Sequence, residues 1–464
     1  MNFSRRTFIS SIVASFALRA KPVWAAERPL LKFGVISDCH VGFEPSSTWA
    51  LRKELSWFCR EGVRVVVNCG DVCHDGTLAE LKNVTDAWKD CFPANKNAQG
   101  ETVVPIFVWG NHDYHDASYM RNKPLTEEDV RQAILCNKDK AWEMVTGERK
   151  HPGEVFLRKV CGATFIGAHW ACSDEVLKPW LDAHRAEIPT DRPVFFVQHP
   201  HPRGTCFGKW RESSESGNSA TLLEHPNFFV MSGHSHISNS FDDAIWQGGF
   251  VSMAAGAASG ACLRGCEYNV GVSAKSPHGT VRHMPGADSG GALQASIVTV
   301  YPSRVVVTRW DHRYGEHVGE DWDIAYPFVH DAKSPWRIAA AAAAPEFPAG
   351  AAVTVERKNG MIYPSKQTVP QIHFTFPAAS SVGPHSRVVD YRVRIVRAAD
   401  GVPVIERLVA QRGLSLTEHR ARGFEGWCVF GVEELPPGEK LVATVIPINA
   451  GGASGKPIQK EFSL

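Results

Sequence analysis

The sequence predicts an α/β domain followed by a small all-β sandwich domain, and three observations carry that expectation. Its 464 residues exceed what one compact core usually holds, so two or three domains are expected. In the longer N-terminal part, short β-rich apolar runs alternate with segments of helical period, the pattern of an α/β unit whose sheet is largely buried. Towards the C-terminus, strand-like segments follow one another with only turn residues between them. Hydrophobic content of 44% and charged content of 21% are those of ordinary globular protein.

The apolar runs of the first part are Leu31–Ser37, Arg64–Cys69, Val104–Trp109, Val194–Gln198 and Phe228–Ser232. Trp49–Arg60 reads as an amphipathic helix between the first two, Leu78–Cys91 as another between the second and third, and Asp174–Ala186 as a further helix. Ala295–Tyr301 and Arg304–Trp310 read as a closing hairpin about Pro302-Ser303. From Asp331 the composition shifts to Lys333-Ser334-Pro335, an alanine run from Ala339 to Ala344, and Pro345-Glu346-Phe347-Pro348. Prolines bracketing the alanines favour a connection over a short helix, so residues 333–347 are read as a linker between domains at 27–332 and 348–464. In the second domain the strand candidates are Gln371–Phe376, Val389–Val396, Val404–Val409, Trp427–Val432 and Leu441–Pro447. Its end, Leu435-Pro436-Pro437-Gly438, Val442–Pro447 and Asn449-Ala450-Gly451-Gly452, resembles the end of a fibronectin type III domain.

At the N-terminus, Ser4-Arg5-Arg6-Thr7-Phe8-Ile9 leads into an apolar stretch from Ile9 to Leu18 and small residues around Val23-Trp24-Ala25-Ala26. Basic start, short apolar centre and Ala-x-Ala-like end mark residues 1–26 as a cleavable export signal, too short to span a bilayer. The paired arginines resemble the twin-arginine signal of bacteria, which implies a periplasmic or secreted protein. No later segment is long and apolar enough to serve as a transmembrane anchor. Cleavage removes Arg5, Arg6, Arg19 and Lys21 and no acid, carrying the formal charge from +1 to −3. Such a balance carries no nucleic-acid-binding signature. The twelve cysteines lack the dense, even spacing of small disulfide-stapled domains, and neither their pairing nor an oligomeric state is legible.

Five apolar runs end directly in metal-type side chains: Asp38-Cys39-His40, Gly70-Asp71-Val72-Cys73-His74, Gly110-Asn111-His112-Asp113, His199-Pro200-His201-Pro202 and Gly233-His234-Ser235-His236. Loops beyond the carboxyl ends of strands in α/β sheets gather on one edge, so ligands far apart in sequence can converge there. A single such triplet is cheap, since a lone surface histidine is more often solvated than ligating. The five together resemble the calcineurin-like metallophosphoesterases, whose ordered motifs are Asp-x-His, Gly-Asp, Gly-Asn-His-Asp/Glu, His and Gly-His-x-His. The resemblance spans about residues 30–312, roughly the whole first domain.

That resemblance implies a four-layer α/β/β/α sandwich and a hydrolase acting on a small phosphoester, with monoester against diester left open. It implies that Asp38, His40 and His236 hold one ion, that Asn111, His199 and His234 hold a second, and that Asp71 bridges the two. Mixed imidazole and carboxylate ligation suits Zn, Fe, Mn or Co better than the all-oxygen habits of Ca or Mg. Two cations about 3.5–4 Å apart activate a water for in-line attack, so no serine or cysteine nucleophile is needed. His112 matches the outer histidine that protonates or supports the leaving oxygen, and Asp113 is expected to fix its tautomer. The bland reading of His112 is a buried histidine capping a loop.

Other residues have weaker claims. His199 is preferred over His201 because it follows its strand directly, and His74, where purple acid phosphatases carry tyrosine, is read as lining the site or as a plain helix-start residue, the second being preferred. His115 and His169 are candidate substrate contacts or plain loop residues. Cys39 and Cys69 read as small buried fillers, and Cys73 lies equally close to the proposed ligands. The Gly- and Ala-rich Ala254–Gly265, with Cys262 and Cys266 in or beside it, could approach a phosphate or be a plain loop. Ala141–Glu154 and Gly204–Gly217 are expected to form lid or rim loops. The C-terminal sandwich is read as a packing or spacer domain. The competing function is an exported binding or adhesive protein that keeps the fold and recognises a surface through that sandwich, which predicts damaged ligands; none of the seven positions is damaged. A zinc peptidase is disfavoured by the absence of a His-Glu-x-x-His helix.

Overall fold

The computed structural model describes residues 27–114, 126–170, 172–206, 215–236, 238–240, 244–259, 268–269, 281–282, 292–330, 343–362, 367–382, 387–411, 413, 424–449 and 452–464. The export signal, His115, Cys262, Cys266 and most of the expected linker lie outside them.

Two mixed sheets build the first part. In one, β1 (Leu31–Ile36), β2 (Val65–Asn68) and β3 (Val104–Phe107) run parallel in that order, and the hairpin Gln294–Tyr301/Arg304–Asp311 adds antiparallel to β1. In the other, β5 (Ala163–Ala168), β6 (Val194–Gln198), Phe228–Ser232 and Val251–Ala254 run parallel, with β4 (Val155–Val160) antiparallel on one edge. Strands covered on both faces need apolar residues at every position rather than in alternation, which is why β2, β6 and Phe228–Ser232 are buried throughout. Between the sheets, the Phe33 ring meets Phe165 at 5.3 Å and Phe195 at 4.9 Å, edge to face. On the far side of β1, Gly34 makes room for Phe58 of helix α1 (Pro45–Glu61), where a β-carbon would sit 2.6 Å from the ring. On the far side of the second sheet, Leu177 and Leu181 of the helix Asp174–Ala183 join Ile166, Phe196 and Val230 in one apolar cluster.

Local signals set the helix ends. Pro45 occupies the first turn of α1, and Gly62 ends it at φ 73, its N–H donating to the carbonyls of Phe58 and Cys59. Helix α2 (Leu78–Cys91) starts with a reciprocal cap between Thr77 and Glu80. Glu80 also accepts from Asp75 N at 3.1 Å, so the start of α2 anchors the loop that follows β2.

Three readings change. Of the segment expected as a lid or rim loop, Ala141–Glu154, residues 141–146 instead belong to the helix Lys138–Thr146, whose Trp142 is buried against Phe156 at 5.3 Å. The hairpin of β4 and β5 and the strand Val251–Ala254 carry no strong periodic signal and are additions to the sequence reading. Ala343–Glu346, inside the expected linker, pairs as a strand with Ser380–Val382.

The C-terminal region is separate and all-β. Thr354–Ile362, Gln367–Phe376 and Gly426–Gly431 form one antiparallel sheet, and Pro403–Ala410, Val388–Arg397, Lys440–Asn449 and Ile458–Ser463 form another. Alternate residues of both sheets, among them Ile372, Phe374, Tyr391, Val393, Ala443 and Val445, meet in a single apolar cluster.

Candidate metal centre

Each proposed ligand follows the carboxyl end of a strand. Asp38 and His40 follow β1, Asp71 follows β2 and Asn111 follows β3, while His199 follows β6 and His234 and His236 follow Phe228–Ser232. The loops are tied by main-chain hydrogen bonds: Asp38 N donates to Gly70 O at 3.0 Å, His40 N to Asp71 O at 3.0 Å and Gly233 N to His199 O at 2.8 Å. The centre therefore lies across the adjoining edges of the two sheets, three loops from one and two from the other.

Two donor clusters form there. Asp38, His40, Asp71 and His236 place ligand atoms within 4.8 Å of one another, and Asp71, His199 and His234 do the same. His236 Nε2 lies 3.1 Å from both Asp38 Oδ1 and His40 Nε2. His199 Nε2 lies 3.1 Å from Asp71 Oδ2 and 3.1 Å from Asn111 Oδ1. Asp71 belongs to both clusters. Its Oδ1 accepts from His112 N at 2.8 Å, while Oδ2 is buried among the ligand imidazoles. A buried carboxylate oxygen facing His199 Nε2 at 3.1 Å and His40 Nε2 at 3.7 Å, one imidazole from each cluster, fits a position between two cations.

The electrostatics agree with that donor set. Burial pushes the Asp38 carboxyl up, but His236 and His199 outweigh it and hold the group at about 2. Burial likewise opposes ionisation of Asp71, and His199 and His40 bring it well below the carboxylate range. Burial lowers His40 far below its ordinary value and His234 to about 3, so both imidazoles are neutral and keep a lone pair. His199 goes the other way. Burial disfavours its charge, yet Asp71 and Asp38 raise it to about 9.

The backbone is strained where the ligands sit. Of eight described non-glycine residues at positive φ, five are Asp38, His40, Asp71, His234 and His236, at 52°, 44°, 53°, 67° and 56°. Left-handed backbone costs about 1–2 kcal/mol at residues bearing a β-carbon, and such strain persists where the geometry serves a site. His236→Ala keeps that strain and His236→Gly relieves it, while both delete the imidazole. The glycine variant is expected to be the more stable of the two by about 1 kcal/mol in metal-free protein, as measured by urea unfolding. Equal stabilities would contradict the strain.

Around the ligands the sequence readings divide. His112 donates its main-chain N–H to Asp71 and holds its ring 4.6 Å from that of His40, edge to face. Its Nδ1 meets the carbonyl of His74 at 2.7 Å, so this carbonyl, and not Asp113, sets its tautomer. Asp113 is fully buried and accepts from Cys73 N at 2.8 Å, Gly110 N at 2.8 Å and Val72 N at 3.3 Å. It therefore clamps the loops after β2 and β3 together. Burial and the neighbouring Asp71 charge raise it to about 7. His201 joins neither cluster and lies in a two-residue strand paired with Glu215–Ser216. His169 accepts from Trp109 N at 2.9 Å inside an aromatic cage of Trp109, Trp142 and Phe156, where burial keeps it neutral; it is a core residue. Cys39 and Cys69 are buried as expected, Cys73 is buried as well, and burial pushes the thiols of Cys69 and Cys73 up, away from thiolate chemistry.

The sequence reading undervalued one site residue and missed another. His74 lies against both His40 and His112 and shares a third donor cluster with them. Its signal was its place at the end of the Gly70–His74 motif, three residues after Asp71. Trp170 covers His234 and His199, with ring centroids 5.0 Å and 5.8 Å away, and carries no motif at all.

Comparison with known proteins follows the same lines. The family described as calcineurin-like phosphoesterase matches residues 31–238, which therefore form a calcineurin-like phosphoesterase domain. No curated protein sequence matches the chain. The chain is similar to the crystal structure of a dimetal phosphatase from Danio rerio, with 15% identity and a TM-score of 0.37 over 64% of this chain and 100% of that one. It is similar to a predicted phosphoesterase from Streptococcus pneumoniae, with 12% identity and a TM-score of 0.26 over 64% and 97%. It is also similar to a Vps29 mutant from Entamoeba histolytica, with 12% identity and a TM-score of 0.28 over 64% and 99%.

Proposed function

We propose that this chain is a metal-dependent phosphoester hydrolase acting on a small phosphomonoester or phosphodiester through two transition-metal ions. Asp38, His40 and His236 would hold one ion, Asn111, His199 and His234 the other, and Asp71 would bridge them. The observation that carries this reading is Asp71, one ionised buried carboxylate common to two donor clusters. The phosphoesterase domain at residues 31–238 supports it.

Bound there, the two ions would acidify a water and neutralise charge developing on the phosphoryl oxygens. The chain supplies the rest. Asp71 and His112 are linked through a main-chain hydrogen bond, which holds the His112 ring beside the donor clusters. With His112 Nδ1 engaged by the His74 carbonyl, Nε2 is the nitrogen through which His112 would hand a proton to the leaving oxygen. Trp170 walls the second cluster, its ring against those of His234 and His199.

The reading extends to the flanking parts of the chain. The twin-arginine-like N-terminus supports export to the periplasm or beyond, and among the described residues no helix is long and apolar enough to cross a membrane. The two antiparallel sheets around one core support a fibronectin type III-like spacer domain, and the apolar layers around the paired sheets support a four-layer first domain.

Elemental analysis and a panel of phosphomonoesters and phosphodiesters test the proposal. Chelation is expected to abolish hydrolysis, and Zn, Fe, Mn or Co to restore it. His112→Ala is expected to retain its metal and lose roughly 10²–10⁴-fold in rate, most on poor leaving groups. Metal-loaded protein inert on both ester classes would end the catalytic reading.

A further inference from the structure

His74 fills none of the metal positions assigned above, yet it touches two of the side chains that matter most. Its Nδ1 lies 3.3 Å from His40 Nδ1, and its main-chain oxygen lies 2.7 Å from His112 Nδ1. Its ring stacks on that of His112 at 5.1 Å and 25°, and packs at 4.6 Å against Phe43 on the other hand. The opposite nitrogen of His40, Nε2, faces His236 Nε2 at 3.1 Å, Asp71 Oδ2 at 3.7 Å and Asp38 Oδ1 at 4.0 Å.

A neutral imidazole has one N–H and one lone pair, and the partner of one nitrogen decides which atom carries which. His199 shows how the second cluster settles this. Its Nδ1–H donates to Cys69 O at 2.7 Å, which turns Nε2 towards Asp71 and Asn111. At His40 the partner is another imidazole. We infer that His74 is a positioning residue that receives the Nδ1–H of His40 and so commits the Nε2 lone pair to the ion shared with Asp38, Asp71 and His236. The inference rests on the proposed two-ion centre. The same residue holds His112 through its carbonyl, so position 74 sets the tautomer of a proposed ligand with its side chain and of the proposed proton donor with its main chain. A third ion among His40, His74 and His112, whose donor atoms also lie within 4.8 Å, would require His40 to ligate through both nitrogens as an imidazolate and surrender its one N–H proton. The hydrogen bond requires neither.

The test is titration of metal-free full-length protein with Co2+ alone, followed by calorimetry and visible absorption. The parent is expected to bind two equivalents. His74→Phe and His74→Leu remove the acceptor, and each is expected to weaken one of the two equivalents by about 10–100-fold while sparing the other. His74→Asn, whose amide oxygen accepts the same hydrogen bond, is expected to recover most of that loss and the parent's absorption spectrum. Circular dichroism identifies which variants fold, and either acceptor-less variant suffices. Parent-like binding in a folded acceptor-less variant overturns the inference, as does an equal loss in His74→Asn. Three equivalents in the parent, with the third lost in His74→Leu, make His74 a ligand and overturn it too. A parent that binds no Co2+ overturns the metal centre itself, a result separate from all of these.

Discussion

Gly110→Ala is expected to empty the centre of both ions as completely as Asp71→Asn, although residue 110 has no side chain to offer a metal. A β-carbon on Gly110 would overlap Asp71 Oδ1 and sit 2.6 Å from Asp71 N. The first obstacle is the bridging carboxylate itself and the second is main chain, so rotating a side chain cannot relieve both. Neither backbone can retreat, because Gly110 N is bound to Asp113 Oδ2 at 2.8 Å and Asp71 O receives His40 N at 3.0 Å. Overpacking of this kind costs about 1–3 kcal/mol, and displacing the bridge by as little as an ångström is expected to lower the rate by at least about 10²-fold. Asp71→Asn reaches the same end by chemistry, replacing the charge common to both clusters with a neutral amide. Elemental analysis and urea unfolding of the two variants check this. Full metal content in folded Gly110→Ala would show that the loops yield where the structure has them pinned.

The same contact explains why part of the site was legible and part was not. Gly233 repeats the logic, since its β-carbon would overlap Ser37 Oγ and Asp38 Oδ2. Glycine beside a ligand leaves a mark in the sequence, because the residue type is forced by close approach to a neighbouring loop. Strands ending in Asp, His or Asn leave a mark as well. Hence the seven proposed ligands could be read from the sequence, and the structure brings them together. His74 and Trp170 act through ring contacts, which fix no neighbouring residue type and no spacing. Asp113 shows the converse error. Its place after His112 suggested a bond between adjacent residues, but on the short helix Asn111–Tyr114 its carboxylate reaches main-chain amides of the loop after β2.

The fold divides along similar lines. Leu78–Cys91 was read to the residue from its apolar stripe of helical period, and the structure adds the Thr77–Glu80 cap. The hairpin Gln294–Tyr301/Arg304–Asp311 was read within a residue at each outer end, since β-branched runs flank a Pro-Ser turn. By contrast, β4 carries Arg158 and Lys159 on an edge strand and β5 contains Gly167, where Phe156 fills the missing side chain's space. Edge charges and strand glycines are features of sheet geometry, and from sequence they resemble a loop.

Loading the metal-free protein near neutral pH is expected to expel about one proton, and His199 is its source. The imidazole is fully buried, its Nδ1 is held by the Cys69 carbonyl, and Asp71 keeps the ring protonated up to about 9. The exchangeable proton therefore sits on Nε2, the atom that faces Asp71 Oδ2 and Asn111 Oδ1 and would bind the ion. Asp38 and Asp71 are already ionised, and His40 and His234 are already neutral, so none of these four contributes near pH 7. Apparent affinity at the second cluster should then rise about tenfold per pH unit up to roughly pH 9 and level off above it. In the metal-free state the sign is opposite. A folded value raised above the ordinary 6.5 stabilises the fold fully below that pH, and the contribution fades as pH rises through about 9. Calorimetric titration in buffers of different ionisation enthalpy reads the proton count directly, and metal binding at pH 7 without proton release would remove His199 from the centre.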